Sequence, residues 1–230
     1  MLRVPAADRH GCRHSPGRTS MTARTERHYE RLASDYDRRW HRYNAQVCRV
    51  AVDMLQLSGA ERLLDVGCGT GELIARLLDR CPGLHVVGLD AVSDMLEQAR
   101  KKLEGRPGVV LRGGSATALP FDSATFDVVV SMSVLHHVSG ADQALAEWTR
   151  VLRADGQLVL VDWCRDFWQH RVWHPWLRLV DRSYVRMYRV QEATALLRRT
   201  GVTVEHVRRF VAPPLYGMMA LWACKRSGAG

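Results

Sequence analysis

The stretch of this chain with the most evident chemistry is Leu63-Leu64-Asp65-Val66-Gly67-Cys68-Gly69-Thr70-Gly71-Glu72. An apolar run of strand type leads straight into three alternating glycines, and a run of helical pattern follows. Glycines let the backbone come close to a ligand, and the first turn of a helix offers N–H groups that lack an intrahelical partner. A tight strand-to-helix turn with no ligand also uses glycine, so the surroundings of the loop decide its meaning. Nineteen residues beyond Gly71, at the end of the next apolar run Val86-Val87-Gly88-Leu89, stands Asp90. A carboxylate at this distance from such a loop is placed to accept hydrogen bonds from ribose hydroxyls. The simpler role open to Asp90 is to cap the helix that begins near Ser93.

A second group suits proton transfer. His136 and His137 follow the apolar run Phe126 to Met132, and Asp162 closes the run Gln157 to Asp162. Histidine changes charge near neutral pH, which makes it the usual general base. If both runs are parallel strands, the three side chains lie at the carboxyl edge of the sheet, where open α/β sheets bind ligands. The alternatives are packing for the histidines and a cap or turn for Asp162. His170 and His174 are four apart, but a metal site needs more ligands and Pro175 disturbs the helix that would pair them, so no metal is expected. The six cysteines include no Cys-x-x-Cys pair. Neither a zinc site nor a disulfide framework is suggested, and a reducing, cytoplasmic setting fits best.

These residues need a scaffold, and the hydrophobic pattern supplies one. Strand-type runs at Arg62 to Val66, Leu84 to Leu89, Val109 to Arg112, Phe126 to Met132 and Gln157 to Asp162 alternate with helical ones at Glu72 to Leu78, Ser93 to Leu103 and Asp142 to Leu152. That alternation predicts an α/β fold with a parallel sheet, because parallel strands need crossovers and helices provide them. One or two amphipathic helices between Glu26 and Leu57 precede the sheet. A helix from about Gln191 to Arg199, stopped at Gly201, and two β-type runs, Val202 to Phe210 and Tyr216 to Cys224, complete the pattern, with Pro213 and Pro214 at the turn.

Between the fifth strand and this last helix, 163–190 form an insert rich in tryptophan and arginine, read as the acceptor-binding cap because it lies beside the reactive end, with indoles that make an apolar wall. From Arg165 to Arg209 there are ten arginines and no lysines against four acids. The plainest reading is a solvated arginine surface over a tryptophan-rich core. Next come an interfacial surface taking a lipophilic acceptor from an anionic membrane, and then stacking and phosphate contact with RNA, so nucleic acid is the least favoured partner.

The chain has the size of one globular domain, here divided into a leader at 1–20, lid helices at 21–60 and a core at 61–230. Its longest apolar runs fall far short of the ~20 residues that cross a bilayer, so no transmembrane segment is expected. The leader carries Arg3, Arg9, Arg13 and Arg18 against Asp8 and lacks helical periodicity; it is read as disordered, with an organelle transit peptide as the alternative and Met21 as a second candidate start. A net charge of +9 favours polyanionic surfaces without choosing among them.

Further motifs extend the pattern: Gly114-Ser115-Ala116-Thr117-Ala118-Leu119-Pro120-Phe121, Phe126-Asp127-Val128-Val129-Val130-Ser131, Val134-Leu135-His136-His137 and Val151-Leu152-Arg153-Ala154-Asp155-Gly156-Gln157-Leu158-Val159-Leu160. With the glycine loop and Asp90, in this order, the chain from about Tyr29 to Gly201 resembles the class I S-adenosylmethionine-dependent methyltransferases. The nearest branch is that of the ubiquinone and menaquinone biosynthesis C-methyltransferases. The resemblance implies a Rossmann-like fold: a central, mostly parallel seven-stranded sheet with an antiparallel last strand and helices on both faces. It implies S-adenosyl-L-methionine as cofactor and a small, lipophilic or aromatic acceptor.

Carried over by this resemblance, Gly67, Gly69, Thr70 and Gly71 line the methionine end of the cofactor. Asp65 reaches its ammonium group, and Asp90 binds the ribose. Ser115 and Ala116 edge the adenine, although the family usually has aspartate where Ser115 stands, and a serine accepts less. Ser131 and its neighbours sit under the sulfonium. Tyr36, in Leu32-Ala33-Ser34-Asp35-Tyr36-Asp37, looks like the family's lid residue, with plain helix packing as its alternative. His136, His137 and Asp162 are the candidates for proton transfer. A nicotinamide dehydrogenase would need Gly-x-Gly-x-x-Gly and has no use for the Leu-Pro-Phe segment. An RNA methyltransferase, and a cofactor-binding partner subunit without turnover, are the remaining alternatives.

Overall fold

A computed structural model describes residues 23–168, 170 and 185–226. The expected leader and the insert's Arg171, Trp173, His174, Pro175, Trp176, Arg178 and Arg182 lie outside the described residues.

Two helices, α1 (Ala23–Leu32) and α2 (Tyr36–Met54), precede the alternating part. That part runs β1 (Arg62–Val66), α3 (Glu72–Arg80), β2 (His85–Asp90), α4 (Ser93–Lys102), β3 (Val109–Gly113), β4 (Phe126–Met132), a 3₁₀ turn (Leu135–His137), α5 (Ala141–Val151) and β5 (Leu152–Trp163). After the insert come α6 (Val190–Arg199), β6 (Thr203–Ala212) and β7 (Tyr216–Cys224). The strand order is β3-β2-β1-β4-β5-β7-β6, and both pairings of β7 are antiparallel while the other four are parallel. The expected sheet of seven strands with an antiparallel last strand is thus present.

The pleat of the sheet sorts side chains into two cores, because successive residues of a strand face opposite sides. Leu63, Val128, Val130, Val159 and Val161 pack with α2, α3 and α4 on one face. Leu64, Val66, Val129, Leu158 and Leu160 pack with α5 and α6 on the other. A strand covered on both faces must be apolar along its whole length, which explains the unbroken hydrophobic runs in place of alternation. Each fully buried leucine or valine contributes about 1.5–3 kcal/mol, so the centre of the sheet is the stiffest support the chain offers to groups at its edge.

One boundary differs from expectation. Strand β5 begins at Leu152, directly after α5, and not at Gln157. The glycine turn foreseen there is an irregularity within the strand: Asp155 takes a φ of 59°, and the register against β4 shifts between Phe126 and Val128. Asp155 N–H donates to the Lys225 carbonyl at 2.6 Å and Lys225 N–H to the Gly156 carbonyl at 3.0 Å, so the end of β7 satisfies the displaced backbone.

Chain direction reverses its side of the sheet between β1 and β4. At such a switch point the connections leave in opposite directions and open a crevice at the carboxyl ends of the strands. Among the described residues no helix is long and apolar enough to cross a membrane.

Candidate functional site

An open cavity, about 920 Å³ with the solvent at its mouth included, occupies this crevice. Its floor is the glycine loop. Gly67 and Cys68 donate their N–H groups to the Leu89 carbonyl at 2.7 and 3.0 Å, stitching the loop to the end of β2. Gly69 has a φ of 52° and faces open space where a side chain would stand, so its backbone is bare to the cavity. Gly71 does not line the cavity; it caps α3 with a φ of 77° and its Cα packs against Leu103 and Ala99.

Two carboxylates define the polar end. Asp90 is nearly buried and accepts from Gly69 N–H at 2.8 Å through Oδ2 and from Val92 N–H at 2.9 Å through Oδ1. It therefore holds the glycine loop and the start of α4 together while also lining the cavity. Burial raises its pKa, against the lowering effect of the donors at Val92, Gly69 and Ala91. Asp65 is 2% exposed, lines the cavity, and has an oxygen, Oδ2, with no hydrogen-bond partner. Burial, and secondly the charge of Asp90, push its carboxyl up to about 8. An orphaned carboxylate oxygen at a cavity wall is costly unless a ligand completes it.

Thr70 lines the cavity but its hydroxyl donates to Asp37 Oδ1 at 2.6 Å, at the start of α2. Lys102, the last residue of α4, reaches Asp37 at 2.7 Å and Glu72 at 2.8 Å. Three helix ends thus meet at one ammonium. The acids stand at helix N-termini and the cation at a C-terminus, so each charge also suits its helix dipole. Tyr36 lines the cavity from α2; burial raises its phenol, and Asp90 and Asp37 add to the rise.

At the opposite end Gly114 and Ala116 form the wall. The Ala116 carbonyl accepts from the Trp148 indole at 3.0 Å, which pins this loop to α5. Ser115 is not part of that wall, and its hydroxyl lies 3.0 Å from that of Thr117. Ser131 is fully buried in β4, donating to the Val66 carbonyl at 3.0 Å; the cavity is bounded instead by Met132, Ser133 and Val134 just after it.

A second open cavity, about 540 Å³ with the solvent at its mouth included, adjoins the first and is walled by Trp40, Tyr43, Trp163 and Tyr216. Trp163 and Tyr216 stack at 5.2 Å, and Tyr43 meets Tyr216 edge-on at 5.4 Å. The polar tips are satisfied within the wall: the Trp163 indole donates to Tyr43 Oη at 3.0 Å, and Tyr43 Oη lies 2.7 Å from Ser133 Oγ. What faces the cavity is therefore mostly ring surface. Two of the three proton-transfer candidates, His136 and His137, line this cavity, and the third, Asp162, is buried behind His136. Asp162 Oδ1 lies 2.7 Å from His136 Nδ1, and Asp162 also accepts from the Leu135 and Trp163 N–H groups. His136 is sandwiched between Trp163 at 4.1 Å and His137 at 3.9 Å. His137 Nε2 lies 2.7 Å from Tyr29 Oη of α1. His170 serves the backbone instead, its Nε2 accepting from Gly217 N–H at 3.0 Å.

Tyr29, Asn44, Ser133 and Val134 line the first cavity without having been singled out as cofactor residues. Their only signal in the sequence was position: Tyr29 lies seven residues before Tyr36 on an amphipathic stripe, which reads as core packing.

Residues 64–160 match the model of a family described as "Methyltransferase domain". The chain is 37% identical to the demethylmenaquinone methyltransferase of Thermus thermophilus over 57% of this chain and 57% of that protein. It is 38% identical to the malonyl-[acyl-carrier protein] O-methyltransferase of Geobacter sulfurreducens over 56% of this chain and 48% of that one. The chain spans between about a third and three fifths of the length of the first curated relatives it matches. Its fold matches a chain in the complex between the Haloferax volcanii Trm112 methyltransferase activator and a methyltransferase, with a TM-score of 0.76, 17% identity, and coverage of 86% of this chain and 98% of that one. Residues 64–160 therefore match a methyltransferase domain, on a fold shared with solved methyltransferases, and the chain resembles the demethylmenaquinone and the ubiquinone/menaquinone biosynthesis C-methyltransferases.

Proposed function

We propose that this protein transfers the methyl group of S-adenosylmethionine to a small, lipophilic or aromatic acceptor held in the Trp40, Tyr43, Trp163 and Tyr216 cavity. The observation that carries the reading is the buried, unpartnered Oδ2 of Asp65 in the wall of a cavity that also presents bare Gly69 backbone and Asp90. These groups fit the cofactor: Asp65 would take its ammonium, Asp90 its ribose hydroxyls, and Gly114 with Ala116 the adenine. When bound, the cofactor supplies an electrophilic methyl group on a positively charged sulfur.

The protein's own part is to orient the acceptor, exclude water and remove a proton. In-line displacement needs the acceptor atom held opposite the leaving sulfur, so positioning supplies much of the rate. The aromatic walls keep that space apolar. His137 lines both cavities and is the proposed base, while Asp162 orients His136 against it from behind. The helices α1 and α2 serve as the lid, because Tyr29 and Tyr36 close both spaces.

Exposed Leu215, next to Tyr216 in the chain, and exposed Trp168, whose neighbour Phe167 stands against Gly217, support an apolar route for the acceptor from an anionic membrane surface. An RNA acceptor has less support, since Arg165 and Arg186 pair with Glu192 and Arg208 with Asp53. A partner subunit without turnover would bind the cofactor equally and differs only in lacking a base and an acceptor space.

The first test is titration of S-adenosylmethionine and S-adenosylhomocysteine into the full chain beside Asp90→Ala. Micromolar affinity is expected, weakened roughly 100-fold by the substitution, the value of two hydrogen bonds to a charged acceptor; no binding by the wild type overturns the reading. Lys102→Met loosens the meeting of α2, α3 and α4. Because Lys102 is 22% and Asp37 43% exposed, water screens the pair. A loss of about threefold to tenfold in cofactor affinity is expected, dominated by faster release in stopped-flow measurements.

A further inference from the structure

We propose that Tyr29 is a catalytic residue that touches the acceptor and relays its proton to His137. The proposal rests on the reading of the aromatic cavity as the acceptor site.

With the cofactor assigned to the first cavity and the acceptor to the second, the reacting atoms meet where the cavities join. Four side chains line both: Tyr29, Tyr36, Ser133 and His137. Two of these are poorly placed to carry a proton. Ser133 Oγ is bonded to Tyr43 Oη, which in turn accepts from the Trp163 indole. Tyr36 stands beside Asp90 and Asp37, whose charges add to burial in opposing loss of its proton. Tyr29 and His137 remain, already joined at 2.7 Å with their rings edge to face at 5.4 Å.

His136 does not take this place. Its Nδ1 is committed to Asp162, its ring is clamped between Trp163 and His137, and it lines only the aromatic cavity. Its contribution is indirect. With Asp162 behind it, a negative charge stands near the imidazolium that forms at His137.

A phenol is suited to the relay because its oxygen can accept one hydrogen bond while its O–H donates another. Tyr29 donates to His137 Nε2, and its oxygen accepts from the O–H of the acceptor. In the transfer the acceptor O–H bond breaks and its proton joins the Tyr29 oxygen. The original Tyr29 O–H bond breaks and that proton joins His137 Nε2. The products are an acceptor oxyanion, neutral Tyr29 and a His137 imidazolium; one proton has moved and nothing is oxidised or reduced. Helix α1 sets the position of Tyr29 by packing Tyr29 and Ala33 on Val92 and Met95, so the relay is complete only when α1 is seated.

The test uses the full chain saturated with S-adenosylhomocysteine, which cannot donate a methyl group, and 4-nitrophenol as the probe. Its phenolate is coloured, so absorbance reads proton loss without turnover. In buffer below the probe's own pKa, the bound probe is expected to be more ionised than the free one in the wild type. In Tyr29→Phe and in His137→Gln, each saturated with S-adenosylhomocysteine, the ionised fraction should fall to that of the probe in water. A purely structural tie between α1 and His137 would instead weaken cofactor affinity and leave the bound phenolate fraction unchanged. Equal phenolate fractions in wild type and Tyr29→Phe, or no probe bound by the wild type with S-adenosylhomocysteine in place, overturn the relay. Failure of the wild type to bind S-adenosylhomocysteine overturns the methyltransferase reading and the relay with it.

Discussion

Gly67→Ala is expected to cost the protein about 2–5 kcal/mol in folding stability and more than 100-fold in cofactor affinity. Two independent effects add at this residue. Its φ of 76° lies in the left-handed region, where a Cβ collides with its own backbone at a cost of about 1–2 kcal/mol. The added Cβ would also stand 2.2 Å from Cγ2 of Val134, and a β-branched neighbour has few rotamers with which to withdraw. Relief by movement of the loop would pull Gly67 and Cys68 away from the Leu89 carbonyl and displace the bare Gly69 backbone. Denaturant unfolding and cofactor titration measure the two losses. Combining Gly67→Ala with Val134→Ala separates the causes: the steric part should recover, the backbone part should not. An alanine variant as stable as the wild type would show that the loop is not held in this conformation.

Cofactor binding at pH 7 is expected to release close to one proton from Asp65. With its carboxyl pushed up to about 8, Asp65 is largely protonated at pH 7 while the cavity lacks a cation. An ammonium group beside its orphaned oxygen favours the charged form, so the proton leaves as the pair forms. Calorimetry in buffers of different ionisation enthalpy reads this directly: release should be nearly complete at pH 7 and fade above the carboxyl's own pKa. Asp65→Asn should bind without releasing a proton and roughly 100- to 1000-fold more weakly, as expected when a buried ion pair loses one partner. The same shift has a consequence for the unliganded protein. The folded state holds this proton more tightly than the unfolded chain, whose aspartate has the ordinary value of 3.8. Stability from this group is therefore complete below about pH 4 and is lost as pH rises through about 8. Urea midpoints that fall over this window in the wild type but not in Asp65→Asn would confirm the sign; a flat profile would sink it.

Residues that were legible in the sequence share a feature: their role depends on neighbours close in the chain. The glycine loop, Asp90 at the end of β2 and the histidines after β4 could be placed because strand and helix periods are local, and because the crossover rule then fixes which ends lie together. Where a role depended on which way one side chain turns at an irregular point, the sequence was silent. Ser131 and Ser115 sit within the right segments, yet one is turned to the Val66 carbonyl and the other toward Thr117, and Ser133, Gly114 and Ala116 hold the wall. The glycine turn foreseen before β5 became part of the strand because Lys225, some seventy residues away, supplies its hydrogen bonds.

The sequence by itself therefore determined the α/β class, the seven elements of the sheet and the glycine loop that lines the cavity. Periodicity and turn chemistry act over a few residues and leave their mark in the order of the amino acids. Only the tertiary structure decided that Tyr29 meets His137 across 108 positions, that Asp37 takes the hydroxyl of Thr70, and that Trp163 and Tyr216 stack into one wall. Those contacts are made by packing α1 and α2 against the sheet and by pairing β7 with β5, and both are settled by surfaces that are distant in the chain.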